Sequence, residues 1–320
     1  VMARDPEALP PRSPPPAWAL DAPARARLAA ALPGWLARQR WFGGKARPVE
    51  RVEIVDAVPV PMDGRLARLA LVRVRYAEGG EELYTLPLAH AAGPAAAALR
   101  RERPEAEVAE LAAAGAPGAL YAADGDPAFG RALLEAIARG RTFAGAGGAL
   151  AAFHGAAGPR DLGALAQLAP RPLGAEQSDT SLRFADRLVL KLFRRTEPGP
   201  NPDLELGAFL TEVARFPHTP ATLGGLEYRP RSGEPVALGI LQAFVPSAGD
   251  AWSFTLGAAA EALARAAGPA PRPEGHLLDL AAAPAPEWAQ ALAGPYLDAA
   301  ALLGRRTAEL HRALASAGDR

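Results

Sequence analysis

Two lysines, Lys45 and Lys191, stand in a chain of 320 residues that draws the rest of its 35 basic side chains from arginine. A bias toward Ala, Gly, Pro and Arg removes lysine most easily where arginine does the same job, so the two survivors mark candidate positions for a compact ammonium. Lys191 sits in "DRLVLKLFRR", residues 186–195. Strand alternation puts Val189, Lys191 and Phe193 on one face and Leu188, Leu190 and Leu192 on the other. An ammonium in that apolar run needs a counter-charge, because an isolated buried charge costs several kcal/mol or loses its proton. Glu205, early in the next helical pattern "NPDLELGAFL", is the expected partner. Just upstream, "QSDTS" (Gln177, Ser178, Asp179, Thr180 and Ser181) offers hydroxyls and backbone amides. A lysine held by a carboxylate beside such a segment suits the binding of phosphate groups.

The elements that must position these residues follow from pattern. Residues 1–20 read as a flexible Pro-rich lead. Residues 23–38 read as a helix carrying Leu28, Leu32, Trp35 and Leu36, with Pro33-Gly34 expected to kink or split it. "QRWFGGK" (39–45) ends it, and "RVEIVDAVPV", "ARLALVRVRYAEG" and "EELYTLPLAH" read as strands of an antiparallel meander. Residues 91–160 are Ala-rich, with helices expected at 129–139 and 146–154. "RPLGAE" and "SLRF" read as short strands, 185–187 as a turn, and 188–193 as a buried strand. Asn201 as N-cap, Pro202 at the first helical position, and Asp203 and Glu205 in the first turn announce a helix. "TLGGLEY" and "PVALGILQAFV" form a strand pair, the second nearly all apolar and therefore expected to be central. Helices are expected at 256–267 and 297–315.

Charge is balanced, 35 acids against 35 bases, so no global field recruits nucleic acid or an anionic membrane. Cysteine is absent, and the five histidines lie far apart, which argues against disulfides and a zinc site and fits a cytoplasmic protein. No segment reads as a membrane span.

The element order (strands, lysine strand, helix with an early acid, two strands, then helices) is that of a protein-kinase-like N-lobe. There, the strand lysine meets the α- and β-phosphates of a nucleotide, Val189 covers the base, and Gln242, Ala243, Phe244 and Val245 of "LQAFV" offer hinge groups to adenine. Each piece also has a purely structural reading. Lys191 could be an edge-strand lysine with its head in water, Glu205 a dipole-complementing surface acid, "QSDT" a plain turn and "LQAFV" a core strand.

The strings "QRWFGGKAR", "GAEQSDTSLRFADRLVLKLFRRTEPGPNPDLELGAFLTE", "LEY", "LQAFVPSAGDAW" and "GRRTAELH" resemble bacterial maltokinases, distant relatives of aminoglycoside phosphotransferases that are sometimes fused to trehalose synthase. The resemblance implies an α+β fold: a cap subdomain over 21–90, an intermediate subdomain and kinase-like N-lobe over 91–245, and the start of a helical C-lobe over 246–320. It implies phosphorylation of maltose by ATP with Mg2+, giving maltose 1-phosphate for α-glucan metabolism. It makes Lys191 the phosphate lysine, Glu205 its ion-pair partner, Gln177 to Ser181 the phosphate loop and Gln242 to Val245 the hinge. The cap motif is expected to be structural or regulatory, with Lys45 kept for cap packing or a cleft contact.

Two departures stand out. Asp179 replaces the asparagine usual in the phosphate loop, and the family's "H-G-D-x-H" and "D-F-E" segments are absent; "FHGAAG" around His154 has Ala156 where the aspartate would be. The expectation is a piece of a longer chain, ending before the catalytic loop and inactive alone. A related kinase of another substrate, or a non-catalytic nucleotide-binding module, are the competing readings.

Overall fold

The computed structural model describes residues 18, 20–112, 117–158, 168–173, 179–266 and 274–316. They fall into two compact units, the first comprising residues 1–213 and 220–244 and the second residues 214–219 and 245–320.

The first unit begins with helix α1 (Ala22–Arg38), capped by the Asp21 side chain, which accepts from the Ala24 N–H at 2.9 Å. Pro33-Gly34 does not split α1, which runs as one element through Pro33. Leu28, Leu32, Trp35 and Leu36, on both sides of Pro33, are buried in one core with the sheet. That sheet is the meander β1 (Val49–Met62), β2 (Arg65–Tyr76) and β3 (Glu81–Ala92), extended by β5 (Gly118–Ala122) and β4 (Glu107–Glu110), in the order β1-β2-β3-β5-β4. Helix α2 (Pro94–Glu102) lies between β3 and β4 in the chain. The sheet therefore continues past the boundary expected at residue 90. The lead is also shorter than expected, because Trp18 and Leu20 are buried in the α1 core and the Trp18 indole donates to the Leu66 carbonyl at 3.1 Å.

A bulge between Ile54 and Asp56 reverses the parity of β1. Val52 and Ile54 consequently join α1, whereas Val58 and Val60 join a second core on the other face. That core contains Phe129, Leu133 and Ile137 of helix α3 (Pro127–Arg139) together with residues of a second sheet. The second sheet comprises β6 (Thr142–Ala144), β7 (Gly148–His154), β8 (Pro170–Pro172), β9 (Thr180–Phe184), β10 (Leu188–Leu192), β12 (Thr222–Pro230) and β13 (Val236–Ala243). Its order is β6-β7-β12-β13-β10-β9-β8, antiparallel throughout. As expected, β13 is central and β10 is interior.

The helix expected at 146–154 is instead the strand β7, paired with β6 and β12. Alanine favours helix locally, but ladder pairing on both sides overrides that preference. Gly148 permits the close approach, since a Cβ there would stand 2.3 Å from the Arg229 carbonyl oxygen. Of "RPLGAE" (171–176), only 171–172 are seen as strand, at the end of β8, and residues 174–176 lie outside the described set.

A two-residue strand, β11 (Arg195–Thr196), leaves β10 and pairs with Leu83 and Tyr84 of β3 in the first sheet. One side of β3 is taken by β2; on the other, β5 covers residues 88–92 and β11 covers 83–84. Helix α4 (Pro202–Ala208) follows, with Asn201 accepting from the Leu204 N–H at 3.2 Å, and continues into a π-helical turn (Phe209–Val213).

In the second unit, helices α5 (Ala251–Arg265), α6 (Leu277–Ala282) and α7 (Glu287–Ala315) are thinly packed. Phe254 stacks on Tyr296 at 6.0 Å, while Trp252, Leu263 and Leu303 remain exposed. Helix α7 is broken by non-helical geometry at Ala293, two residues before Pro295.

Candidate nucleotide site and its cap

Lys191 occupies the middle of β10, opposite Ser181 of β9 and Ile240 of β13. Leu188, Leu190 and Leu192 are buried, as alternation requires, and Val189 and Lys191 are half-buried on the other face. Helix α4 packs on that face through Leu204, against Phe193, Ala237 and Ile240. Gly207 lets it come close, because a Cβ there would meet the Thr222 hydroxyl at 2.4 Å.

The ammonium of Lys191 lies 3.2 Å from Asp203 and 3.4 Å from Asp179. Glu205, the expected partner, is exposed and makes no ion pair with it among the described residues. The cause is helical phase. Asn201 and Pro202 start the helix so that Leu204 enters the core, and positions 203 and 205 are about 200° apart around an α-helix, so only one can address the strand. Burial lowers the Lys191 pKa, but the carboxylates of Asp179 and Asp203 outweigh it and hold the group above its ordinary value.

The remaining predicted residues divide into three groups. Gln177 and Ser178 lie outside the described residues. Asp179 precedes β9, Thr180 opens it and Ser181 is buried within it. Val189 stands opposite Gln242 across the β10–β13 ladder, and Leu188 opposite Ala243, so strand pairing brings the base-covering and hinge candidates side by side. The Phe244 N–H donates to the Arg187 carbonyl at 2.9 Å, and its ring lies under the Arg183 guanidinium at 4.3 Å. Val245 belongs to the second unit and is exposed. Among the described residues, no three His, Asp or Glu side chains converge as a metal-binding set.

The "QRWFGGK" motif is a packing device. Trp41 lies against Trp35 and Tyr84, Phe42 lies against Tyr84, and Gly44 abuts Tyr76, where a Cβ would meet the phenol oxygen at 2.2 Å. Lys45 is exposed and donates to the Arg40 carbonyl at 3.2 Å.

Sequence reasoning missed two buried charges. Arg194 runs from the end of β10 into the first sheet's side of the unit, where its guanidinium lies 4.8 Å from the Trp41 ring centroid and donates to Asp124. Asp56, fully buried, accepts from the N–H groups of Ala57, Ala146 and Gly147 and from the Tyr228 hydroxyl, at 2.7–3.1 Å. Burial, then the Asp56 carboxylate, push the Tyr228 phenol well above its ordinary pKa. A charge inside the apolar runs "EIVDAV" and "KLFRR" was the available signal for both.

These features define a mixed α+β molecule in which an N-terminal sheet domain is joined to an antiparallel sheet bearing a paired lysine. Residues 35–126, from the last turn of α1 to the turn after β5, match the maltokinase N-terminal cap domain. The chain is also similar to solved structures of glucosamine kinase. One, in complex with glucosamine, ADP and inorganic phosphate, is 20% identical with a TM-score of 0.46 over 88% of this chain and 51% of that one. Two further crystal forms are 20% and 22% identical, with TM-scores of 0.47 and 0.48, over 91% of this chain and 52% and 51% of theirs. The chain thus spans about half the length of the solved structures it matches. No helix among the described residues is long and apolar enough to cross a membrane.

Proposed function

We propose that this chain supplies the cap and the ATP-binding part of a sugar kinase that phosphorylates maltose to maltose 1-phosphate. The observation carrying the reading is the paired Lys191 on an interior strand, placed downstream of a matched maltokinase cap. A phosphoryl group in transfer spreads negative charge over its oxygens, and a fixed ammonium is a direct way to offset it. With Asp203 as its anchor, Lys191 stays protonated across the physiological range and free to address the α- and β-phosphates. Val189 and the Gln242–Phe244 stretch then serve the base. On this reading Asp179 stays beside the ammonium with Asp203, and together they hold it where the phosphates reach it.

The reading assigns the catalytic aspartate and the magnesium carboxylates of the reaction to residues outside these 320, with trehalose synthase as an expected fused or associated partner in a cytoplasmic α-glucan pathway. Titration calorimetry with ADP and ATP tests the part assigned to this chain. Saturable binding that is lost in Lys191→Met with an unchanged melting profile is expected. Equal binding by the variant, or none by the wild type, overturns the assignment. In the complete enzyme, ATP-dependent phosphorylation compared between maltose and glucosamine decides the acceptor, and a preference for glucosamine removes the maltose assignment.

A further inference from the structure

Three residues beyond Lys191, the chain delivers Arg194 into the cap. Its side chain is 2% exposed. Nη2 donates to Asp124, and Nε donates to the Thr180 hydroxyl at 2.8 Å. The backbone N–H donates to Asp179 at 3.1 Å, and the backbone carbonyl accepts from the Thr85 N–H at 2.8 Å. Trp41, Thr85 and Asp124 all lie within the matched cap, 35–126, whereas Asp179 and Thr180 flank Lys191.

This wiring exceeds what packing needs. Nη1 of Arg194 is buried without a hydrogen-bond partner among the described residues, an arrangement that costs free energy and that an apolar side chain would avoid. What arginine adds is a rigid fork able to serve several acceptors at fixed angles. Here, one acceptor, Asp124, lies in the 3-10 turn that follows β5 of the first sheet, and the other, Thr180, opens β9 of the second. Asp179 in turn places its other carboxylate oxygen 3.4 Å from the Lys191 ammonium.

We propose that Arg194 is a positioning residue through which the cap holds the Asp179–Thr180 segment and so sets the Asp179 carboxylate beside Lys191, making the affinity for the phosphate part of a nucleotide depend on cap contacts. The proposal rests on the nucleotide reading above and adds a regulatory role for the cap. A shift of the cap moves Trp41 and Asp124. Arg194 follows, and with it Thr180 and the Asp179 carboxylate that meets the ammonium.

The test compares ADP with adenosine in the wild type, Arg194→Met, Arg194→Lys and Trp41→Leu, with melting curves as the folding control. Loss of two buried hydrogen bonds is expected to weaken ADP at least about tenfold in Arg194→Met, with a smaller loss in Arg194→Lys. Adenosine should stay within about twofold. Trp41→Leu, which touches neither Asp179 nor Thr180, should weaken ADP in the same selective way, and it carries the test should Arg194→Met not fold. Unchanged ADP affinity in the folded variants, or equal losses for ADP and adenosine, overturns the proposal. If the wild type binds neither ligand, the nucleotide reading falls by itself, and hydrogen exchange then judges the coupling. Faster exchange at Thr180–Leu182 and Lys191 in Trp41→Leu supports it, and unchanged exchange there overturns it.

Discussion

Lys191 sits 3.2 Å from Asp203 and not against Glu205, two positions further along the same helix. Lys191 and Lys45 are the protein's only side-chain amines, so acylation followed by mass spectrometry reads Lys191 directly. Asp203→Asn removes one of the two carboxylates that raise its pKa. More free amine is then present at mildly alkaline pH, and labelling of Lys191 should accelerate severalfold relative to Lys45. Glu205→Gln should leave the ratio unchanged; acceleration by Glu205→Gln alone would restore the pairing first expected.

The buried carboxylate of Asp56 ties β1 to the β6–β7 turn and to Tyr228 of β12. Asp56→Ala leaves two loop N–H groups and the buried Tyr228 phenol without their acceptor and should cost roughly 3 kcal/mol in denaturant unfolding. Tyr228→Phe removes a single donor and should cost about 1 kcal/mol. Similar small losses in both variants would show that the network contributes little.

Asp126 caps α3, accepting from the Ala128 N–H at 2.9 Å, and also meets Arg65 and the Tyr121 hydroxyl. Burial pushes its carboxyl pKa up, but those partners outweigh burial and leave it lowered. A folded-state pKa below the unfolded one means stability that is present above about pH 4, the ordinary aspartate value, and lost as pH falls through the lowered value. Arg65→Met should move that acid limb toward higher pH and reduce neutral-pH stability. Superimposable acid titrations of the two proteins would remove Arg65 from this role.

The helices of the second unit have little to bury: no residue of α5 is buried, and in α7 only Gly294 is. Their amides should exchange quickly, while those of β10 and β13, interior in a seven-stranded sheet, exchange slowly. Uniform protection across these segments, measured by mass spectrometry, would contradict this.

Much of the architecture is local and was therefore readable in sequence. Alternating apolar runs set the meander, Asn201-Pro202 started α4, and the apolar run at 236–243 placed β13 at the centre. The lysine was visible as a rare residue type in a bias toward arginine. Its neighbours were not, because which carboxylate reaches Lys191 depends on the phase at which α4 docks, and that phase is set by Leu204 entering a cluster with Phe193, Ala237 and Ile240. Likewise, the alanines of 149–152 favour helix by themselves; only the partners β6 and β12, distant in sequence or formed together with them, made that stretch a strand. Arg194 is the clearest case. Its sequence position says strand end, and its role comes from Trp41, Asp124 and Thr180, up to 153 positions away, converging on one buried guanidinium. Composition and periodicity determined which segments could form strands, helices and a paired lysine. Long-range packing alone decided which charges would meet, because a buried charge takes its partner from whatever the fold brings within hydrogen-bond reach.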